Sequence, residues 1–319
     1  MHLLVAFASD TSETCRHVLP DLALPHLERL LALLAPVGRD EAAATAFSPP
    51  QERALAAAWG WHGGDGTLPF AAHAAAGDGI AVGNRAWALL TPAHWQLGRD
   101  RVVLLDPALL ELDEDESRAL FDAVRDLFES EGFTVAWGCA GRWYAARDDL
   151  ASFATASVDR VVGRGVDDWL RGPTRAASAA TSPIASLVRR LQSEAQLVFY
   201  THAVNEAREE RGALPVNSFW LSGCGRAQPT RSEATPDVSA TLRAPLLAGD
   251  WAGWAEAWRA LDDDAIARLL ERARDREPVM LTLCGERTAA RFETRPRSAW
   301  QRLVRARKSL PAHETLAAL

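Results

Sequence analysis

The stretch Pro215-Val-Asn-Ser-Phe-Trp-Leu-Ser-Gly-Cys-Gly-Arg226 joins a short apolar run to two closely spaced glycines and an arginine. An apolar run of this length that ends in glycines is typical of a buried strand leading into a turn. We therefore predict a strand over residues 217–222 and a turn at Gly223 and Gly225. This turn is expected to place Arg226 at the edge of a sheet.

Two kinds of chemical site share a glycine pair at the end of a strand. A dinucleotide fingerprint needs a third glycine that opens a helix, but Gln228 and Pro229 follow the pair here. A nucleophile elbow needs a glycine two residues before the reactive residue, and Cys224 lacks it. We interpret Cys224 as a small buried hydrophobic residue. The alternative is a reactive thiol whose pKa is lowered by the nearby Arg226.

The composition is that of a globular, water-soluble protein. Of its 319 residues, 48% are hydrophobic and 24% are charged. The formal net charge of −7 gives no reason to expect nucleic acid or a membrane as partner. The four cysteines form no C-x-x-C pair, which favours reduced thiols in the cytoplasm. Residues 1–8 are apolar without a basic segment before them, so we predict a first strand and not a signal peptide.

Strand-like and helix-like segments alternate along the chain. Apolar runs at residues 2–8 and 279–284 are typical of strands covered on both faces, and residues 133–146 have the pattern of a hairpin. Helical patterns occupy residues 24–34, 52–59, 113–131 and 184–211. This order predicts an α/β fold with a mixed, largely parallel sheet flanked by helices. We expect two lobes, with an N-terminal lobe over 1–172, a linker at 173–183 and a C-terminal lobe over 184–319.

Several local patterns have a structural explanation. Ser48, followed by two prolines, is typical of the N-cap of the helix at 52–59, and the acidic run 262–264 suits the first turn of another helix. The stripe Trp251, Trp254 and Trp258 predicts core packing, with an exposed partner-binding face as the alternative. A terminal basic helix over 298–308 is more typical of a solvated face than of an anion site; its basic set is Arg297, Arg302, Arg305, Arg307 and Lys308.

Long segments of the chain resemble one known family. They include Trp87-Ala-Leu-Leu-Thr-Pro-Ala-His-Trp95, Arg190-Leu-Gln-Ser-Glu-Ala-Gln-Leu-Val-Phe-Tyr-Thr-His-Ala-Val-Asn205 and Arg208-Glu-Glu-Arg-Gly-Ala-Leu-Pro-Val-Asn-Ser-Phe-Trp-Leu-Ser-Gly-Cys-Gly225. These segments are similar to the bacterial RpfE-type regulatory proteins, and the resemblance covers most of the chain. It implies a regulatory protein, although some members of that family carry a phosphoglycerate mutase label.

The label has a source in the same stretch. Residues 217–225 are similar to a strand-and-turn segment of the archaeal-type, cofactor-independent phosphoglycerate mutases of the alkaline phosphatase superfamily. Such chemistry requires a Ser or Thr nucleophile between two metals held by Asp and His. This sequence has no Asp-His dipeptide, and His313 is its only histidine after His202. We therefore predict no metal site and no cofactor.

We predict a cytoplasmic, non-catalytic regulatory or interaction protein whose partner is a protein or a small anionic metabolite. The alternative is a metal-dependent phosphoglycerate mutase or phosphatase-like enzyme of the alkaline phosphatase superfamily. A ligand is expected where the carboxyl ends of strands meet, at residues 9–11, 222–226 and 285–287. The sequence assigns no catalytic residue. The predicted ligand-binding residues are Asp10, Thr11, His202, Asn205, Asn217, Ser222, Gly223, Gly225 and Arg226.

Overall fold

The computed structural model of the chain describes residues 1–170, 182–230, 235–294 and 311–319. By their internal contacts the residues form two units, each with its own sheet and apolar core. Unit 1 comprises residues 1–44, 49–60 and 230–319, and unit 2 comprises residues 45–48 and 61–229. This division is discontinuous in sequence, whereas the sequence predicts a single boundary at 173–183. Most of that linker lies outside the described residues.

Strands and helices alternate along the described chain. The strands are β1 (His2–Val5), β2 (Leu34–Glu41), β3 (Ala86–Ala93), β4 (Trp95–Leu97), β5 (Val102–Leu104), β6 (Thr134–Cys139), β7 (Arg142–Ala146), β8 (Ser218–Arg226), β9 (Asp237–Ser239), β10 (Met280–Cys284) and β11 (Thr288–Thr294). The α-helices are α1 (Glu13–Val18), α2 (Pro25–Leu33), α3 (Pro50–Trp59), α4 (Phe70–Gly77), α5 (Glu114–Ser130), α6 (Val158–Val161), α7 (Val166–Leu170), α8 (Pro183–Tyr200), α9 (Ala203–Glu210), α10 (Arg243–Leu247), α11 (Trp251–Leu261), α12 (Ala267–Arg274) and α13 (Ala312–Ala317).

Unit 1 is built on a five-stranded sheet with the order β2-β11-β10-β1-β9. β1 pairs in parallel with β10 and with β9, and β11 pairs antiparallel with both β10 and β2. The predicted mixed α/β class is therefore confirmed, with a sheet that is partly parallel. The first strand of the chain needs partners from its last third, which explains why unit 1 is discontinuous.

The two faces of this sheet are covered differently. One face packs Leu3, Val5 and Phe292 against helices that include α11, where Trp254 and Trp258 are fully buried. Their indole N–H groups donate to the carbonyls of Phe7 and Ala8 at 3.1 and 3.2 Å, so the predicted core packing is confirmed for these two tryptophans. The other face carries a smaller cluster of Leu4, Ala6, Cys284 and Ala289 beneath α3.

Unit 2 contains a four-stranded antiparallel sheet with the order β6-β7-β3-β8, which places β8 at an edge. The predicted hairpin is confirmed as β6 and β7. Residues of α5 and α8 pack in the larger core cluster of this unit, and alanines of α4 pack against Trp87 and Tyr144 in a second cluster. The helix predicted over 113–131 is confirmed as α5, and the Asp113 side chain caps it by accepting from Glu116 N at 2.8 Å.

Three local predictions are wrong in detail. Ser48 does not cap α3, which begins after Pro49; its hydroxyl accepts from the Gly66 N–H at 2.9 Å. The helix predicted over 184–211 is two helices, because α8 ends at Tyr200 and α9 begins after His202. The acidic run 262–264 does not open a helix: α11 continues through a π-helical turn (Asp262–Ile266) into α12.

Two further points bear on function. The predicted basic helix over 298–308 lies outside the described residues. Among the residues that are described, no helix has the length and apolar character required to cross a bilayer.

Candidate functional site

Gly223 and Gly225 lie inside β8 and do not form a turn, contrary to the prediction. Between Trp87 and Leu89 the pairing register with β3 shifts, so Gly223 lies in a bulge, while Gly225 pairs with Trp87 and the strand continues. Gly223 has a φ of +65°, and a Cβ there would lie 2.9 Å from the backbone nitrogen of Ala71. The absent side chain thus lets α4 approach the strand closely.

The other candidates on β8 also serve the fold. Cys224 is fully buried, and burial raises the pKa of its thiol to about 12, so the alternative of a lowered thiol pKa is wrong. Arg226 donates to the Asn84 carbonyl, and its guanidinium lies 3.1 Å from the Asp148 carboxylate. The Asn217 side chain accepts from Trp95 N at 2.7 Å and donates to Trp95 O at 3.0 Å. Ser222 is buried in the strand.

His202 and Asn205 organise the connection between α8 and β8. His202 is the N-cap of α9, and its Nδ1 accepts from Val204 N at 3.2 Å. Asn205 is buried, and its amide nitrogen donates to the carbonyls of Phe199 and Val216 at 2.8 and 2.7 Å. Its oxygen accepts from Val216 N at 2.9 Å. These contacts fix the chain where it enters β8 and leave Asn205 little capacity for a ligand.

Asp10 and Thr11 lie just beyond β1, in unit 1. The Asp10 carboxylate accepts from Ser12 N at 2.6 Å, and Thr11 donates to the Glu286 carboxylate through both its hydroxyl and its N–H. The segments 9–11 and 285–287 are therefore joined, whereas 222–226, the third segment expected at this site, belongs to the separate sheet of unit 2. The group that joins them is a carboxylate, which does not favour an anionic ligand.

The predicted ligand site thus divides between the two units. Asp10 and Thr11 belong to unit 1, and the remaining seven candidates belong to unit 2. Within unit 2 the candidates are held by structural hydrogen bonds or by close packing.

A phosphoglycerate mutase of this kind requires a centre of two metal ions. Among the described residues, one group of three possible ligands is close enough to hold an ion: His26, Asp262 and Asp263. The Asp262 carboxylate already accepts from Leu27 N at 2.7 Å and from His26 N at 3.0 Å, and the His26 ring lies 3.2 Å from it. This carboxylate caps α2, so the group does not fit the two-metal centre of that chemistry.

A different cavity in unit 1 combines several arginines. It has a volume of about 540 Å³ and lies on the α3 face of the sheet. We call it the arginine pocket and define it by His2, Arg39, Asp40, Arg53, Thr282 and Arg291. Small residues leave the space open: α3 contributes alanines, and β2 contributes Gly38, where an added Cβ would meet nothing within 4 Å.

The strand register brings the polar side chains of this pocket together. Thr282 lies directly opposite Arg291 on the neighbouring strand, and His2 lies on β1 beyond Thr282. The His2 Nε2 and Thr282 Oγ1 atoms are 2.9 Å apart. From α3, Arg53 donates to the Asp40 carboxylate at 2.6 Å and to the Arg287 carbonyl at 3.1 Å.

The charges of the arginine pocket are mostly positive. Three guanidinium groups and the Asp40 carboxylate line it, and the carboxylates of Glu41 and Glu293 lie 3.8 and 3.4 Å from Arg39 and Arg291. The pKa of His2 is lowered to about 4 by burial, by the charge of Arg291 and by the charge of the amino terminus. The lowered pKa is the response expected of a histidine that is largely buried and lies near positive charges.

The pocket was not predictable from the sequence patterns used above, because two of the strands that build it, β2 and β11, were not predicted. β2 contains Pro36 and Gly38, which both argue against a strand. The signal for β11 was present: Ala290 and Phe292 are buried and alternate with Arg291 and Glu293. Alternation of this kind indicates a strand whose two faces differ.

Comparisons with known proteins add the following. No family model matches the chain, and no curated protein matches it. The chain is similar to the solved cofactor-independent phosphoglycerate mutase from Thermoplasma acidophilum DSM 1728, with 16% identity over 99% of this chain and 98% of that chain at a TM-score of 0.38. It is also similar to the PH0037 protein from Pyrococcus horikoshii, with 13% identity over 92% of this chain and 87% of that chain at a TM-score of 0.44. The RpfE-type resemblance stays a prediction.

Proposed function

We propose that this protein binds a small anionic ligand in the arginine pocket and acts there as a non-catalytic regulatory protein. The observation that carries the proposal is the placement of three arginines around one cavity of about 540 Å³ on the sheet of unit 1. Cavities of this size are typical of small-molecule sites. The ligand class is a carboxylate or a phosphate, because a guanidinium binds either of them with two parallel hydrogen bonds.

Arg291 is the arginine best suited to meet such a ligand. Its side chain is 48% exposed, and its nearest carboxylate is that of Glu293 at 3.4 Å. Exposed ion pairs of this kind contribute little stability, so a ligand anion competes with Glu293 at low cost. Arg39 and Arg53 are tied to the fold by carbonyl groups, and they are paired with the carboxylates of Glu41 and Asp40 at 3.8 and 2.6 Å.

The low pKa of His2 supports the proposal of binding without turnover. Thr282 and His2 form a hydroxyl–imidazole pair in this pocket, which is the arrangement that nucleophilic catalysis uses. A general base works best when its pKa lies near the working pH, and the pKa of His2 is about 4. Thr282 is also only 3% exposed. The pair is therefore better suited to shaping the floor of the pocket than to attacking a substrate.

The test is calorimetric titration of the full chain with inorganic phosphate and with citrate. We expect saturable binding of at least one of them, weakened about fivefold or more by Arg291→Ala, since one exposed charged contact is worth about 1 kcal/mol. The matched control is Arg272→Ala. Arg272 is equally exposed at 48% and pairs with Glu277 at 3.2 Å, but it does not line the pocket.

Two outcomes would overturn the proposal. One is the absence of saturable binding of both anions, and the other is an equal loss of affinity in the two variants. Turnover of 3-phosphoglycerate by the manganese-supplemented protein would instead favour the phosphoglycerate mutase alternative.

A further inference from the structure

A second cavity, in unit 2, differs from the arginine pocket in its chemistry. It has a volume of about 370 Å³ and lies beside the edge strand β8. Its walls are chiefly apolar and aromatic; the larger side chains are Phe47, Phe153, Trp169, Ile184, Val188 and Trp220. We call it the edge cavity. Such a lining favours a flat, uncharged molecule over an anion.

The open edge of β8 supplies polar groups to this cavity. In an outer strand, alternate residues turn their backbone N–H and C=O groups away from the neighbouring strand. The Arg147 N–H donates to the Ala86 carbonyl at 3.0 Å. The even-numbered residues of β3 therefore direct their backbone N–H and C=O groups toward β7. The odd-numbered residues of β3 therefore form hydrogen bonds with β8. One of them, Thr91, lies opposite Trp220, so the even-numbered residues of this part of β8 face β3.

The odd-numbered residues in the same part of β8 direct their backbone N–H and C=O groups away from β3. The Phe219 carbonyl accepts from the side-chain nitrogen of Gln192 at 3.3 Å, as expected of a group on the open side. Leu221, two residues further along, has the same orientation and lines the edge cavity. Its N–H and C=O groups therefore offer one donor and one acceptor, side by side, at an apolar wall.

We propose that the edge cavity binds a flat, largely apolar heterocycle in which an N–H donor stands beside a C=O acceptor. The heterocycle N–H would donate to the Leu221 carbonyl, and its carbonyl would accept from the Leu221 N–H, which extends β8 by one strand-like pair. Its ring would pack between the tryptophan and phenylalanine side chains of the cavity. This site is independent of the arginine pocket.

The test uses quinolin-2(1H)-one, a bicyclic lactam with the required donor and acceptor, and its N-methyl derivative, which lacks the donor. Binding is measured by ligand-observed NMR with the full chain. We expect saturable binding of the lactam and affinity at least about tenfold lower for the N-methyl compound, because one hydrogen bond is lost and one acceptor is left unpaired.

Two variants of α8 locate the binding site. Ala185→Phe places a ring in the edge cavity and is expected to abolish lactam binding. Leu197→Phe is the matched control on the same helix, because Leu197 is 72% exposed and does not line the cavity. The melting temperature of each variant shows whether it has folded. Lack of saturable binding by the wild type up to the solubility limit, equal binding of the two compounds, or full binding by a folded Ala185→Phe variant would each overturn the proposal.

Discussion

His2 shows how one side chain reports on its surroundings. Its ring lies 2.9 Å from the Thr282 hydroxyl, on the sheet face that also carries Arg291. The other charged groups of the pocket are Arg39, Arg53 and the Asp40 carboxylate. A positive charge on His2 would be partly buried and close to other positive charges, so the folded protein holds the ring neutral.

This neutral ring makes stability depend on pH. The pKa of His2 is about 4 in the folded protein and 6.5 as an ordinary value, so the unfolded chain binds more protons between these values. The contribution of His2 to the free energy of unfolding is fully present above pH 6.5 and falls as the pH drops toward 4. We expect His2→Gln to reduce the slope of unfolding free energy against pH, measured by urea denaturation across this window. Identical slopes for the wild type and His2→Gln would contradict the assignment.

At the scale of the elements, a side chain from one helix completes the start of another. α2 begins at Pro25 and its own N-cap residue, Leu24, has no side-chain acceptor. The buried Asp262 carboxylate, 236 positions from His26 along the chain, accepts from the first N–H groups of α2 instead. Asp262, the first residue of the acidic run 262–264, therefore caps a helix, although not the one that contains it.

Replacing Asp262 should destabilise unit 1. We expect Asp262→Ala to lower the free energy of unfolding by about 1–3 kcal/mol, because buried N–H groups of α2 lose their acceptor. Asp264→Ala is the matched control: this residue is 66% exposed and pairs with Arg268 on the same helical face, so its loss should cost about 0.5 kcal/mol or less. Chemical denaturation of both variants measures the difference. Equal losses would show that the cap contributes no more than a surface charge.

Which elements could be predicted depends on where their partners lie. β1, β10, α5 and the β6–β7 hairpin are recognisable because apolar pattern, caps and turns all lie within the segment. β2 contains Pro36 and Gly38 and is held by pairing with β11, and no local signal replaces that partner. β11 does carry a local signal, the alternation of buried and exposed residues. The glycines of β8 look like a turn in the sequence, but a helix more than a hundred residues earlier explains them. The arginine pocket combines residues from β1, β2, α3, β10 and β11, so its position follows from the strand register and from the packing of α3 on the sheet.

The molecule consists of two units that are built from different parts of the chain. Unit 1 needs both ends of the sequence, because β1 pairs with β9 and β10. The larger core cluster of unit 2 runs from Ala86 to Cys224, and its sheet draws on the same part of the chain. An uninterrupted segment therefore contains the complete core and sheet of one unit and none of the strands of the other.

This arrangement predicts which fragment folds. We expect residues 61–229, expressed alone, to unfold cooperatively in urea, because the core and the four-stranded sheet of unit 2 are retained. The matched fragment is 1–172, the N-terminal lobe that the sequence predicts. It separates β1 from β10 and β3 from β8, so it should show no cooperative transition by circular dichroism. Cooperative unfolding of 1–172 together with a non-cooperative 61–229 would show that the contiguous boundary, and not the discontinuous one, describes the folding units of this chain.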